Sequence, residues 1–141
     1  MTTKRIAQCQ CGQLSAEVTG DTDQVFMCHC EMCQRRSGSA FHIGAWYPQS
    51  DVAVIGEARE YRRVGDAGAE VYFRFCPECG TTVIYGAPEL FSDRVGIPVG
   101  CFADPDFPIA KISLFERSKH RWMNVPEEIP GIPAWLEGGS G

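Results

Sequence analysis

The chain has 141 residues, 44% hydrophobic and 22% charged, with a formal net charge of -5. That size and balance point to one soluble domain over 1–141, and the acidity speaks against a nucleic-acid partner, whose binder carries a basic footprint. No apolar run reaches membrane-span length, and "MTTKRIAQCQCG" lacks the apolar core of a secretory signal, so a cytoplasmic protein with no membrane partner is expected.

The apolar pattern is mainly of period 2. In "QLSAEVT" (13–19), Leu14, Ala16 and Val18 alternate with polar neighbours, which predicts a half-buried strand. A helical turn or two is expected after Cys30. "FHIGAW" (41–46), "VAVI" (52–55) and "TTVIY" (81–85) are rich in β-branched or aromatic residues and read as strands. In "EVYFRF" (70–75), Val71, Phe73 and Phe75 share one side. In "AKISLF" (110–115), Ala110, Ile112 and Leu114 do the same. The alternative place for such a turn is near "DPDF" (104–107). From about residue 124 three prolines predict an extended C-terminal arm, pinned by Trp135 and Leu136, with a flexible end over 138–141. The fold class expected is mainly β.

Eight cysteines are present, and seven fall into tight clusters: Cys9 and Cys11; Cys28, Cys30 and Cys33; Cys76 and Cys79. Without an export signal, such clustering points to metal rather than disulfides. In an extended strand residues i and i+2 face the same way, so C-x-C aims two sulfurs at one ion. C-x-x-C does so across a tight turn, which Pro77 and Gly80 favour in "CPECG". One C-x-C and one C-x-x-C make a closed four-thiolate site, and "CHCEMC" alone makes an open three-thiolate site. Spacing leaves the pairing open, since Cys76 and Cys79 could close with Cys28 and Cys30. Thiolates suit zinc, copper(I) or iron–sulfur. The competing reading of the trio is a second structural site closed by His29, His42 or Cys101. Against it, His29 faces away from its flanking cysteines in a strand, His42 reads as a surface residue or a neighbour of the ligands, and Cys101 as a small buried hydrophobe.

The motifs "CQCGQLSAEV", "CHCEMCQRRSGSAF", "FCPECGTTV" and "VGCFADP", ending in "KHRW", resemble the glutathione-dependent formaldehyde-activating enzymes, a family that includes centromere protein V-like proteins. The resemblance runs in order from about Cys9 to Trp122. It implies an Mss4-like fold of coiled antiparallel β-sheets. It also implies two zinc ions, one structural on Cys9, Cys11, Cys76 and Cys79, and one catalytic on Cys28, Cys30 and Cys33. Two departures stand out: Gln34 occupies a position where many members carry arginine, and Cys101-Phe102 replaces a common Thr-Leu.

The implied activity is that of a carbon–sulfur lyase, joining an aldehyde to a thiol such as glutathione, as in S-hydroxymethylglutathione, or reversing that step. A thiol bound at the open position would have its pKa lowered. A fourth thiolate takes the formal charge to about -2, so cations are needed nearby; Arg35 and Arg36 are candidates for that or for holding substrate carboxylates. No general acid or base is evident. The alternative function is a non-catalytic zinc module that binds a partner protein.

Overall fold

In the computed structural model, which describes residues 3–65 and 68–134, ten strands and one short α-helix form two sheets. In chain order they are β1 (Lys4–Gln8), β2 (Ser15–Thr19), β3 (Val25–Cys28), α1 (Glu31–Ser37), β4 (His42–Pro48), β5 (Val52–Ile55), β6 (Arg59–Val64), β7 (Glu70–Phe75), β8 (Thr82–Gly86), β9 (Arg94–Pro98) and β10 (Ile112–Leu114). A three-stranded sheet runs β1-β2-β5, and a seven-stranded sheet runs β10-β3-β4-β9-β8-β7-β6. The mainly β expectation and the antiparallel sheets hold.

Alternation explains the core. Leu14, Ala16 and Val18 are fully buried while their neighbours are not, and they pack with Ala7, Val25, Ala45, Val83 and Ile97 from both sheets. Each leucine, valine or isoleucine among them, taken from water, stabilises the fold by roughly 1.5–3 kcal/mol. The hairpin β6–β7 stands away from this core. Its register pairs Tyr61 with Phe73 and Arg62 with Tyr72, and Glu60 bridges Arg62 and Arg74.

Two expectations are corrected. The 110–115 stretch is not a simple half-buried strand. Only Ile112–Leu114 is extended, it runs parallel to β3, and Ser113 between the apolar positions is fully buried. The cause is cover on both sides: the segment after residue 124 returns along β10, where Ser113 N donates to Pro130 O at 2.9 Å and Ile132 N to Ser113 O at 2.9 Å. Residues 104–107 form a turn rather than a helical one. Asp106 N donates to Asp104 Oδ1 at 2.9 Å, the usual way an Asp folds the chain back on itself. Trp135, Leu136 and 138–141 lie outside the described residues.

Candidate metal and substrate site

The structure brings the cysteines into two groups, Cys9, Cys11, Cys76 and Cys79 in one and Cys28, Cys30 and Cys33 in the other, with the sulfurs of each group within 4.8 Å of one another. Of the pairings that spacing leaves open, the geometry has the first C-x-C meeting C-x-x-C.

The four-sulfur group is built by two matching turns. After β1, Gly12 N donates to Cys9 O at 3.1 Å; after β7, Gly80 N donates to Cys76 O at 2.8 Å. Gly80 has φ +81°, a conformation that costs other residues but not glycine. The turns aim N–H groups at sulfur: Leu14 N lies 3.2 Å from Cys9 Sγ, Glu78 N 3.4 Å from Cys76 Sγ, and Gln13 Nε2 3.2 Å from Cys76 Sγ. Hydrogen bonds from the Thr81 hydroxyl and backbone lower the Cys79 thiol pKa to about 5. Cys9 Sγ to Cys11 Sγ and Cys11 Sγ to Cys76 Sγ are both 3.7 Å. A tetrahedron with Zn–S bonds of about 2.3 Å has edges of about 3.8 Å, so the donors and their spacing suit a thiolate-bound metal.

The trio is assembled differently. Cys28 ends β3, and Cys30 caps α1, its Sγ accepting from Cys33 N at 3.3 Å. Cys33 lies in the first turn, and Gly38 closes the helix in the left-handed conformation. Hydrogen bonds from Cys28 and then Cys33 pull the Cys30 thiol far below its ordinary range, while sharing with Cys30 pushes Cys28 up. Three crowded sulfurs of this kind suit a cation, and among the described residues no fourth Cys, His, Asp or Glu joins them.

None of the proposed closing groups does so. His29 is buried on the opposite face, where Nε2 meets Ser113 Oγ at 2.8 Å. Cys101 donates to Thr82 O at 3.3 Å and is only partly buried. His42 is not on the surface: it is buried, 6% exposed, where β4 lies against β3, because Cys28 and His42 are register partners.

A cavity of about 160 Å³ opens beside the trio. Phe26, Trp46, Phe73, Tyr85, Phe91 and Phe115 supply most of its wall, with Met32, Val71 and Leu90. Arg36 and Arg63 are its cations. Arg36 lies 5.3 Å from the centre of the Phe73 ring and 5.9 Å from that of Tyr85; Arg63 lies 5.6 Å from that of Phe73. Arg35 points elsewhere: its side chain is 72% exposed and pairs with Glu31 at 3.8 Å. Gln34, the residue that departs from the resemblance, ties α1 to the body by donating to His29 O at 2.8 Å and Ser118 O at 3.1 Å.

One hydrogen-bond chain inside the cavity has a fixed direction. Arg36 Nη2 lies 2.8 Å from His42 Nδ1, and a guanidinium only donates, so Nδ1 accepts. Burial, aided by Arg36, lowers the His42 pKa to about 3, which keeps the ring neutral. A neutral ring with an accepting Nδ1 carries its proton on Nε2 and donates it to Tyr85 Oη at 3.1 Å. Tyr85 therefore accepts from His42 and keeps its own O–H for the cavity. Burial holds its pKa well above the usual phenol value, so that proton stays in place.

Sequence reasoning missed Tyr85, Arg63 and the aromatic wall. The available signal was glycine inside strands. A Cβ on Gly44 would lie 1.9 Å from Tyr85 Oη, and one on Gly96 would lie 2.2 Å from Tyr85 Cε2. Interior glycines of this kind mark close approach by a large group.

A crystal structure of a Rhodobacter sphaeroides protein is similar over 90% of this chain and 99% of that chain, with a TM-score of 0.54 and 19% identity, a likeness of fold. Curated proteins give no match. The model of the glutathione-dependent formaldehyde-activating enzyme family matches residues 4–118. With that match over most of its length, the chain belongs to the glutathione-dependent formaldehyde-activating enzyme family.

Proposed function

We propose that the protein is a zinc-dependent carbon–sulfur lyase-type enzyme that makes or breaks a thiol–aldehyde adduct such as S-hydroxymethylglutathione. Cys9, Cys11, Cys76 and Cys79 would hold a structural zinc, and Cys28, Cys30 and Cys33 a catalytic one. The observation that carries this reading is the trio itself: three sulfurs without a fourth internal ligand among the described residues, bordering a cavity. A zinc ion there would supply a Lewis-acid position at which an incoming thiol binds as its thiolate.

The chain's own residues account for the rest. Arg36 sets a positive charge beside Cys33 and offsets the negative charge of the sulfur cluster. Together with Arg63 it can meet the carboxylates of a glutathione-like thiol. Arg35 is too far outside the cavity wall to share that role. In the forward direction the sulfur lone pair attacks the carbonyl carbon, the S–C bond forms and the C=O π bond opens onto oxygen. Tyr85 O–H, held by His42, hydrogen-bonds to that oxygen as negative charge develops on it, and the proton released by the thiol reaches the oxygen through solvent. A preorganised hydrogen-bond donor to a developing oxyanion contributes about 10²–10³ in rate. In reverse, the hydroxyl proton leaves through solvent as the C–S bond breaks, and the departing sulfur takes up a proton.

The test is X-ray absorption at zinc with and without glutathione, beside exchange NMR of glutathione with formaldehyde. The average sulfur count per zinc should rise from about 3.5 to about 4 on adding the thiol, and the protein should accelerate exchange. Cys30→Ser should leave a folded protein with about one zinc and no acceleration. A sulfur count already at four without thiol, or an unfolded Cys30→Ser protein, makes the trio structural and favours a non-catalytic zinc module.

A further inference from the structure

Resting on that reading of the trio, the geometry points to a carbonyl partner far larger than formaldehyde: the adduct taken by this site joins the thiol to the carbon of an apolar, aryl-bearing aldehyde.

Among the described residues, the cavity beside the trio has no carboxylate or amide side chain to meet a peptide's ammonium and N–H groups. Among its described lining residues there is no Asp, Glu, Asn, Gln, Ser or Thr. A glutathione-like tripeptide carries an ammonium and two peptide groups, which would lose water in such a pocket with no carboxylate or amide side chain among the described lining residues to replace it. Its carboxylates can meet Arg36 and Arg63, but its body has to lie outside. What enters is the group on the other side of the sulfur.

Formaldehyde adds one carbon and leaves most of about 160 Å³ unfilled. An apolar cavity of about 150 Å³ is the size that takes up benzene, so this volume matches a phenyl ring. The wall favours a ring as well. Trp46 lies 6.1 Å from Phe26 at an interplanar angle of 19° and 4.7 Å from Phe91. These rings offer both faces and edges, and aromatic pairs gain beyond the area they bury. The backbone is shaped to suit, since Gly44 and Gly96 let the Tyr85 ring lie flat against β4 and β9. The hydroxyl of Tyr85 remains the polar handle for the carbonyl oxygen.

The chemistry balances without an oxidant or reductant. The thiol RS–H adds across the C=O of an aryl aldehyde, forming one S–C bond and one O–H bond and giving a hemithioacetal. The reverse step returns both components.

Two unreactive analogues test this on the zinc-loaded protein by titration calorimetry. S-benzylglutathione carries the ring on the carbon next to sulfur, and S-methylglutathione stands for the formaldehyde adduct. S-benzylglutathione should bind at least about tenfold more tightly, with the more negative heat-capacity change that apolar burial produces. Leu90→Trp, which enlarges a side chain lining the cavity, should shrink that preference by a similar factor. Exchange NMR should likewise show benzaldehyde exceeding formaldehyde in kcat/KM. Equal binding of the two analogues overturns the inference, as does a preference that Leu90→Trp leaves intact. If neither analogue binds while formaldehyde exchange is accelerated, the inference fails alone. If neither binds and nothing is accelerated, the enzymatic reading fails with it.

Discussion

Replacing Tyr85 with Phe removes one oxygen and leaves the ring in the cavity wall. The hydroxyl it removes is the acceptor for His42 Nε2–H at 3.1 Å, and His42 is only 6% exposed. The other ring nitrogen is committed to Arg36, so the orphaned N–H has nowhere to turn. A buried donor left without a partner costs about 1–3 kcal/mol. The surface exposed on unfolding barely changes, so the urea slope should stay the same; at a slope of about 2 kcal/mol per molar the midpoint should fall by roughly 0.5–1.5 M. The catalytic effect should be larger, because the variant also loses its hydrogen bond to the reacting oxygen. Thiol–aldehyde exchange should drop by about 10²–10³ with zinc content unchanged. Nitrogen NMR of the histidine should place the proton on Nε2 in the parent protein. The reasoning is refuted if the variant keeps both the parent midpoint and the parent exchange rate, or if the proton is found on Nδ1.

Gly44→Ala should cost about 1–3 kcal/mol or more through overpacking, since the new methyl would run into the Tyr85 hydroxyl, with Phe26 Cζ 2.8 Å away; a melting curve like the parent's would contradict the tight fit. Stripping the metal with a strong chelator should unfold the protein, because a four-thiolate zinc contributes on the order of 10 kcal/mol, as much as a whole domain's stability. Far-UV circular dichroism would reveal that loss, and Cys76→Ser should reproduce it where Cys30→Ser does not. Gln34→Ala should lower stability by about 1–2 kcal/mol in urea titrations by cutting two hydrogen bonds between α1 and the backbone at His29 and Ser118.

The cysteine clusters were legible because their geometry is local. A C-x-C or C-x-x-C turn brings two sulfurs together whatever the rest of the chain does, and glycine after the turn marks its exit. Which clusters meet is a long-range fact; spacing left it open and only the family resemblance supplied it. Leu14, Ala16 and Val18 were legible for the same local reason, one sheet face meeting the core. Ser113 was not, because it is buried by a segment that lies well beyond it in sequence. The strands over 59–64 and 94–98 escaped notice: "REYRRV" is polar and pairs through Arg–Glu contacts at a sheet edge, and "RVGIP" carries a glycine that exists for Tyr85. Arg35 and Arg36 looked equivalent as neighbours. On a helix adjacent residues point about 100° apart, so one meets Glu31 in solvent and the other meets His42.

The return of residues 130–134 along β10 also sets a timetable. The four-sulfur turns are complete once Cys79 has been synthesised. The strand that bears Cys28 gains its second neighbour only when Ile112–Leu114 arrives, and that neighbour is itself clasped by Pro130, Ile132 and Ala134. At about 5–20 residues per second, several seconds separate the two events on the ribosome. A nascent chain of this protein can therefore bring its four-sulfur group together early, while the surroundings of the three-cysteine group are finished only after Ala134 has been made.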